Sequence, residues 1–173
     1  GSIIKLANAF IGMTYYDKAI ETYERGSSLL KDKNIFSYSL GDLYYRKGDT
    51  QKMMKYYLYA LSIEPNLMVS LQSLFQMLFT DKEYDELQTQ LVELIQEKPD
   101  NTNYLEMLIW QFLQRKDYSN ALRYSKSLDK RLQENGYRIF QLGSTALLQK
   151  DYDAAIDAFG YIAEEKGEGG QYY

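Results

Sequence analysis

The side chains that most often do chemistry in proteins are missing from this chain. Its 173 residues include no histidine and no cysteine, which removes the usual general base, the thiolate nucleophile and the commonest zinc ligands. Carboxylate pairs such as Glu164-Glu165 occur, but we interpret them as the solvated end of a helix. The glycine-rich run 166–170 lacks the spacing of a phosphate-binding loop. The sequence therefore predicts that the protein is not an enzyme and has neither a metal ion nor a cofactor.

Acidic residues recur at one position of a repeating pattern. Asp49, Glu83, Asp117 and Asp151 are spaced by 34 residues, and each precedes a run of apolar residues at helical spacing. A carboxylate there can accept hydrogen bonds from the free N–H groups that begin a helix, and its charge suits the positive end of the helix dipole. We therefore predict that these residues cap helices.

The same 34-residue period runs through the whole chain. It relates five leucines without insertion or deletion: Leu6, Leu40, Leu74, Leu108 and Leu142. A fixed period of this length is typical of a stacked array of small units. Two apolar runs at helical spacing, separated by a break, predict two helices in each unit. We expect one repeat array over 1–173, with units at about 1–33, 34–67, 68–101, 102–135 and 136–169, and with 170–173 as the start of a truncated sixth unit.

The residue after the repeating leucine predicts how closely the two helices of a unit approach. Gly41 and Gly143 occupy this position in the second and fifth units, whereas Phe75 and Ile109 occupy it in the third and fourth. We therefore expect the third and fourth helix pairs to be splayed or repacked.

Tyrosines form a second repeating set. Four of them share one phase of the period and are expected to fill the seam between helices: Tyr16, Tyr84, Tyr118 and Tyr152. Tyr15, Tyr45 and Tyr56 stand outside this phase. Neighbours on a helix point about 100° apart, so some of these three rings must be exposed or lie in a groove.

The second unit carries a specific resemblance. Its pattern resembles the tetratricopeptide repeat signature through Leu40-Gly41, Tyr44, Met53, Tyr57, Ala60 and Pro65. The other four units share parts of the pattern, and the third is the weakest match. The resemblance implies an all-α fold, a right-handed superhelical solenoid of antiparallel helix pairs, in which the first helices line a concave groove. Members of this family mostly hold peptides or protein segments in that groove.

Helical geometry indicates which side chains would line such a groove, because they lie opposite the leucine and aromatic stripe of each first helix. The set is aromatic and rich in amides: Tyr38, Asp42, Tyr45, Gln72, Gln76, Phe79, Asn103, Glu106, Trp110, Leu113, Tyr137 and Gln141. Trp110 stands out because aromatic anchors dominate binding hot spots. Two alternatives stay open for Trp110, exposure in the groove or burial between units.

The groove composition favours one kind of ligand. Only Lys5, Asn8 and Arg46 could help to clamp a terminal carboxylate. We therefore expect a protein or peptide segment with apolar or aromatic anchors, in which a basic residue could meet Asp42 or Glu106.

Charge and hydropathy exclude other partner classes. The net charge is −4 and the isoelectric point is about 5.0, which gives no basic footprint for nucleic acid. No apolar run is long enough to span a membrane. Two functions are favoured over a third, in which the chain is part of an enzyme or a carbohydrate-binding assembly whose active part lies outside it. The protein is either a non-catalytic interaction scaffold that binds a segment in its groove, or a structural spacer or self-assembly segment of a larger repeat protein. Apolar residues of the last unit, Ile156, Phe159 and Ile162, predict end-to-end self-association.

Overall fold

The structure is a computed structural model that describes residues 1–166. Apart from one 3₁₀ turn at Pro65–Leu67, all regular structure in this range is α-helical. The helices are α1 (Ser2–Gly12), α2 (Tyr16–Leu30), α3 (Ser37–Lys47), α4 (Thr50–Ile63), α5 (Met68–Leu78), α6 (Asp81–Glu97), α7 (Thr102–Gln114), α8 (Tyr118–Leu132), α9 (Tyr137–Leu148) and α10 (Tyr152–Lys166). Helix pairs that follow one another within the same compact unit pack against each other, which confirms the predicted all-α repeat fold. The predicted start of a sixth unit at 170–173 lies outside the described residues.

The starts of the second helices show why the acidic residues repeat. Asp49, Asp117 and Asp151 each accept a hydrogen bond from the backbone N–H three residues on, at 3.0–3.1 Å. These three caps are confirmed, and each stabilises its helix by roughly 0.5–2 kcal/mol. Glu83 acts differently, because its carboxylate reaches back to the backbone N–H of Thr80 at 2.9 Å. The same carboxylate also accepts a hydrogen bond from the Thr80 hydroxyl, so Glu83 is a first-turn acceptor for Thr80 rather than the capping residue.

Residues 1–97 form the first of two compact units. In this unit α1 pairs with α2, α3 pairs with α4, α2 contacts α3, and α4 contacts α6. Gly41 confirms the predicted close approach, because a Cβ added there would lie 2.6 Å from Cδ1 of Tyr57. The core between these helices is closed by fully buried side chains that include Leu40, Met54 and Leu58.

The third pair, α5 and α6, is built differently. Its two backbones lie farther apart than those of the other four pairs. Phe75 fills the extra space, because its buried ring stacks on Phe79 with centroids 4.5 Å apart, and Phe79 meets Tyr84 edge to face at 5.5 Å. The bulky residue at the Gly41 phase thus splays this pair, as predicted.

The second compact unit begins at residue 98 and is described to residue 166. Here α7 pairs closely with α8, α9 pairs closely with α10, and α8 contacts α9. Gly143 allows the close approach of α9 and α10, because a Cβ there would lie 2.8 Å from Cβ of Ala158. Ile109 is buried without separating α7 from α8, so the fourth pair is not splayed, and of the two predicted alternatives repacking remains.

The four repeating tyrosines are not equally buried. Tyr84 and Tyr118 are buried, and Tyr16 is half-buried, in agreement with a seam between helices. Tyr152 is exposed, so the prediction is wrong there. The pair that contains Tyr118 is followed by another helix pair in its unit. Tyr152 lies on α10, which no described helix follows.

Candidate functional site

The first unit displays an aromatic surface on α3. Tyr38, Asp42 and Tyr45 are spaced by four and three residues, so they share one face of the helix. Tyr38 and Tyr45 are 45% and 43% exposed, and Asp42 between them is half-buried. This face of α3 therefore offers two phenol rings around one carboxylate.

Tyr57 of α4 fixes the position of that carboxylate. Its phenol donates to Oδ1 of Asp42 at 2.5 Å, and its ring centroid lies 5.5 Å from that of Tyr38. Burial and the hydrogen bond to Asp42 raise the pKa of the Tyr57 phenol. The charge of Asp42, followed by burial and the charge of Glu64, raises the pKa of Tyr38. Both phenols therefore stay protonated at neutral pH and can donate hydrogen bonds.

On α5 the predicted groove residues differ in exposure. Gln76 is exposed and Gln72 is half-buried. Phe79 follows the last residue of α5 and is half-buried against Phe75. Among the predicted groove residues of α5, Gln76 is thus the one that is exposed.

In the second unit, Asn103, Glu106, Trp110 and Leu113 are all half-buried on α7. Trp110 is thus neither fully exposed nor fully buried, so it matches neither of the two alternatives left open by the sequence. On α9, Tyr137 and Gln141 are exposed, and the Gln141 amide donates to the Tyr137 phenol at 2.7 Å. This hydrogen bond orients both side chains toward one face of α9.

An ion cluster that the sequence analysis missed joins α7 to α9. Both oxygens of Glu106 accept hydrogen bonds from Arg138 at 2.8 Å, and Arg138 also donates twice to Glu134 at 2.7 Å. The hydrogen bonds that Arg138 donates to Glu134 and Glu106 raise the pKa of its guanidinium despite its partial burial. Glu106 is therefore already paired with a cation within the protein. The spacing of Glu134 and Arg138, four residues apart on the chain, was the one available sequence signal.

A second missed feature is a pair of stacked aromatic rings, one from each helix of a pair. Tyr44 and Tyr56 stack with centroids 5.4 Å apart and planes 9° apart. Phe112 and Tyr124 occupy the corresponding positions in the second unit, at 5.7 Å and 11°. The stack accounts for Tyr56, which is half-buried, whereas Tyr15 and Tyr45 are exposed.

Two other kinds of feature are absent from the described residues. Within 1–166, no helix combines the length and apolar character needed to cross a membrane. In the same range, no three or more carboxylates cluster in a way that could hold a metal ion.

Stacked antiparallel helix pairs with a repeated seam define a helical repeat protein. The tetratricopeptide repeat family model matches residues 36–67, the segment that contains α3, α4 and the Leu40-Gly41 pair. This match and the ten helices of the described residues fit a tetratricopeptide-type helical repeat protein, which confirms the resemblance. No curated protein matches the chain. A tetratricopeptide repeat suggests a protein–protein interaction scaffold, and helical repeats of this family are typically non-catalytic.

Proposed function

We propose that the protein is a non-catalytic scaffold that binds a peptide or protein segment on the exposed faces of its first helices. One observation carries this proposal: α3 exposes Tyr38 and Tyr45 on either side of Asp42, whose carboxylate is held by the buried Tyr57. Exposed aromatic rings around an ordered polar group are the arrangement that binding hot spots use.

The physical advantage of this face is its order before binding. A tyrosine has two side-chain torsions, so it offers a large contact area at a low entropic cost. The hydrogen bond from Tyr57 and the ring contact with Tyr38 further restrict the face. Less freedom is then lost on binding, which favours affinity.

In the second unit, the corresponding surface comprises Asn103, Glu106, Trp110, Leu113, Tyr137 and Gln141. Because Arg138 already neutralises Glu106, we do not assign a basic ligand residue to this surface. Trp110 and Tyr137 favour apolar or aromatic anchors. Asp42 is left as the acid that a basic side chain or an N–H group of the ligand would meet.

The test begins with a library of displayed random peptides selected on the wild-type chain. Affinities of the enriched peptides are then measured by fluorescence anisotropy for Tyr38→Ala and Tyr45→Ala. Each substitution should weaken binding by at least about tenfold, which is the effect of a hot-spot residue. Tyr15→Ala is the matched control, because Tyr15 is an equally exposed tyrosine outside this face. Equal affinities for all variants, or no enriched peptide, would contradict the proposal.

The alternative function is a structural spacer or self-assembly segment without its own ligand. It is favoured by the exposed Ile156 and the half-buried Phe159 and Ile162 on the last helix pair. Both functions assume one array of five repeats over 1–173, which stays a prediction. The alternative would be supported by concentration-dependent association without any enriched peptide.

A further inference from the structure

The first helix pair exposes a leucine whose equivalents in the second and fifth pairs are buried. Leu6 is 52% exposed, whereas Leu40 and Leu142, one and four periods later, are 1% and 5% exposed. Leu40 and Leu142 belong to pairs that follow another pair in the same compact unit. In the second and fifth pairs, burial of this leucine therefore accompanies the presence of a preceding helix pair in the same unit.

The last described helix pair shows the opposite half of the same contact. Ile156 on α10 is 69% exposed, whereas its three apolar equivalents, Ile20, Met54 and Leu122, are 7%, 1% and 0% exposed. Each of these three is followed by another helix pair in its own unit, and α2 contacts α3, α4 contacts α6, and α8 contacts α9. Ile156 therefore occupies a position that a following helix pair normally covers.

The exposed leucine lies in an open groove of about 450 Å³ between α1 and α2. Leu6, Phe10 and Leu29 supply its apolar lining, and its charged lining comprises Lys18, Arg25 and Glu21. At the junctions inside each unit, this side of a helix pair packs against the second helix of the preceding pair. The second helix of the last pair, α10, has the matching chemistry, because it presents Ile156.

The repeat register also predicts which charges would meet. In the first unit, Gln51 of α4 donates to Glu86 of α6 at 3.1 Å. The residue three periods after Gln51 is Asp153, and the residue two periods before Glu86 is Lys18. If α10 of one copy packed against α2 of another copy with the same geometry, Asp153 would thus lie next to Lys18, which has the opposite charge.

A second internal contact leads to the same result. In the second unit, the Lys130 ammonium lies 5.8 Å from the ring centroid of Tyr161. The residue one period after Lys130 is Glu164, and the residue four periods before Tyr161 is Arg25. This contact also translates into an opposite-charge pair, Glu164 with Arg25.

Two ion pairs also join successive helix pairs through a second helix. When they are translated in the same way, neither gives a contact between like charges. Lys47 with Asp17 translates to Met13 with Asp153. Lys126 with Asp157 translates to Gly160 with Glu21. The two end surfaces are therefore complementary in both apolar residues and charge.

We propose that copies of this chain associate head to tail, with α10 of one copy packed into the α1–α2 groove of the next. The contact is heterologous, because two different surfaces meet, and such contacts extend into linear chains unless they close into a ring. The contact continues the repeat-to-repeat packing already present within each unit. The proposed contact does not involve the peptide-binding face on α3. For the alternative function, self-assembly, it specifies the partner and the direction in which copies join.

The test is sedimentation velocity over a wide concentration series. The wild-type chain should move from the 20.3 kDa monomer toward twice that mass and beyond. Leu6→Glu blocks the groove and Ile156→Glu blocks the α10 surface, so each variant alone should stay monomeric. An equimolar mixture of the two should form dimers and nothing larger, because it contains one intact surface of each kind.

Two further variants control for non-specific effects. Met77→Glu removes an equally exposed apolar side chain away from both ends and should leave association unchanged. Asp153→Lys should weaken association at least several-fold, and Lys18→Asp in the same chain should restore it. Circular dichroism confirms that each variant is folded. The proposal is overturned if the wild-type chain stays monomeric throughout, if either single variant associates like the wild type, or if the mixture stays monomeric.

Discussion

Gly41→Ala tests the packing that orders the α3 face. The added Cβ would lie 2.6 Å and 2.7 Å from Cδ1 and Cε1 of Tyr57, inside the distance that carbon atoms tolerate. The ring cannot move away easily, because Tyr57 is 2% exposed and its phenol is bonded to Asp42. Alanine should gain about 1 kcal/mol of helix propensity over glycine, whereas overpacking costs about 1–3 kcal/mol. A weakened phenol–carboxylate hydrogen bond costs about 1 kcal/mol more. We therefore expect a net loss of roughly 1–3 kcal/mol in the free energy of unfolding.

Urea denaturation followed by circular dichroism measures this loss. Gly160→Ala is the matched control, because Gly160 lies inside α10 and a Cβ there meets nothing within 4 Å. It should gain up to about 1 kcal/mol. Gly48→Ala separates backbone strain from crowding, because Gly48 has φ +74° and open space around it, and it should lose about 1–2 kcal/mol. If Gly41→Ala proved as stable as the wild type while Gly160→Ala gained stability, the close approach of Tyr57 would be refuted.

Three further predictions concern single side chains. Arg138→Gln should destabilise the second unit by roughly 1–3 kcal/mol, because Glu106 and Glu134 lose their shared cation; an unchanged urea midpoint would contradict this. Burial, followed by neighbouring charge, raises the pKa of Tyr56 from 10.0 to about 12, so the unfolded chain releases this proton first. Stability should therefore fall as pH rises from 10.0 to about 12, and Tyr56→Phe should reduce the fall. Trp110 is half-buried, so acrylamide should quench its fluorescence partly and a bound peptide should protect it; an unquenchable signal would exclude it from the binding surface.

The sequence was sufficient for the helix pairs because their causes are local or periodic. Asp49, Asp117 and Asp151 cap the helices that follow them because capping depends on residues within one turn. Gly41 indicates a close approach because only a missing side chain allows it, and the bulk of Phe75 indicates the opposite. These features could be predicted without knowing which helices meet.

Contacts between elements were not predictable in the same way. The sequence places Asp42 on an exposed face but gives no sign that Tyr57 holds its carboxylate from the next helix. Arg138 and Glu106 are 32 residues apart, which is not a multiple of the repeat, so periodicity does not associate them. Both contacts depend on how two helices are rotated against each other, which is decided by packing.

Burial at equivalent positions was the least predictable property. Leu6 and Leu40 are the same residue at the same phase, yet only Leu40 is buried. Tyr118 and Tyr152 differ in the same way. The period identifies which face of a helix is apolar, but burial also requires a neighbouring helix pair, and that depends on the position of the pair in its unit.

The most direct test of the proposed function is to follow the backbone amide resonances of the chain by NMR while a selected peptide is added. Our account predicts saturable shifts at Tyr38, Asp42 and Tyr45 on α3, with little change at Lys55 and Tyr59 on the second helix of the same pair. Shifts confined to the second helices, or no saturable shift at any first helix, would contradict the claim that the first helices bind the partner.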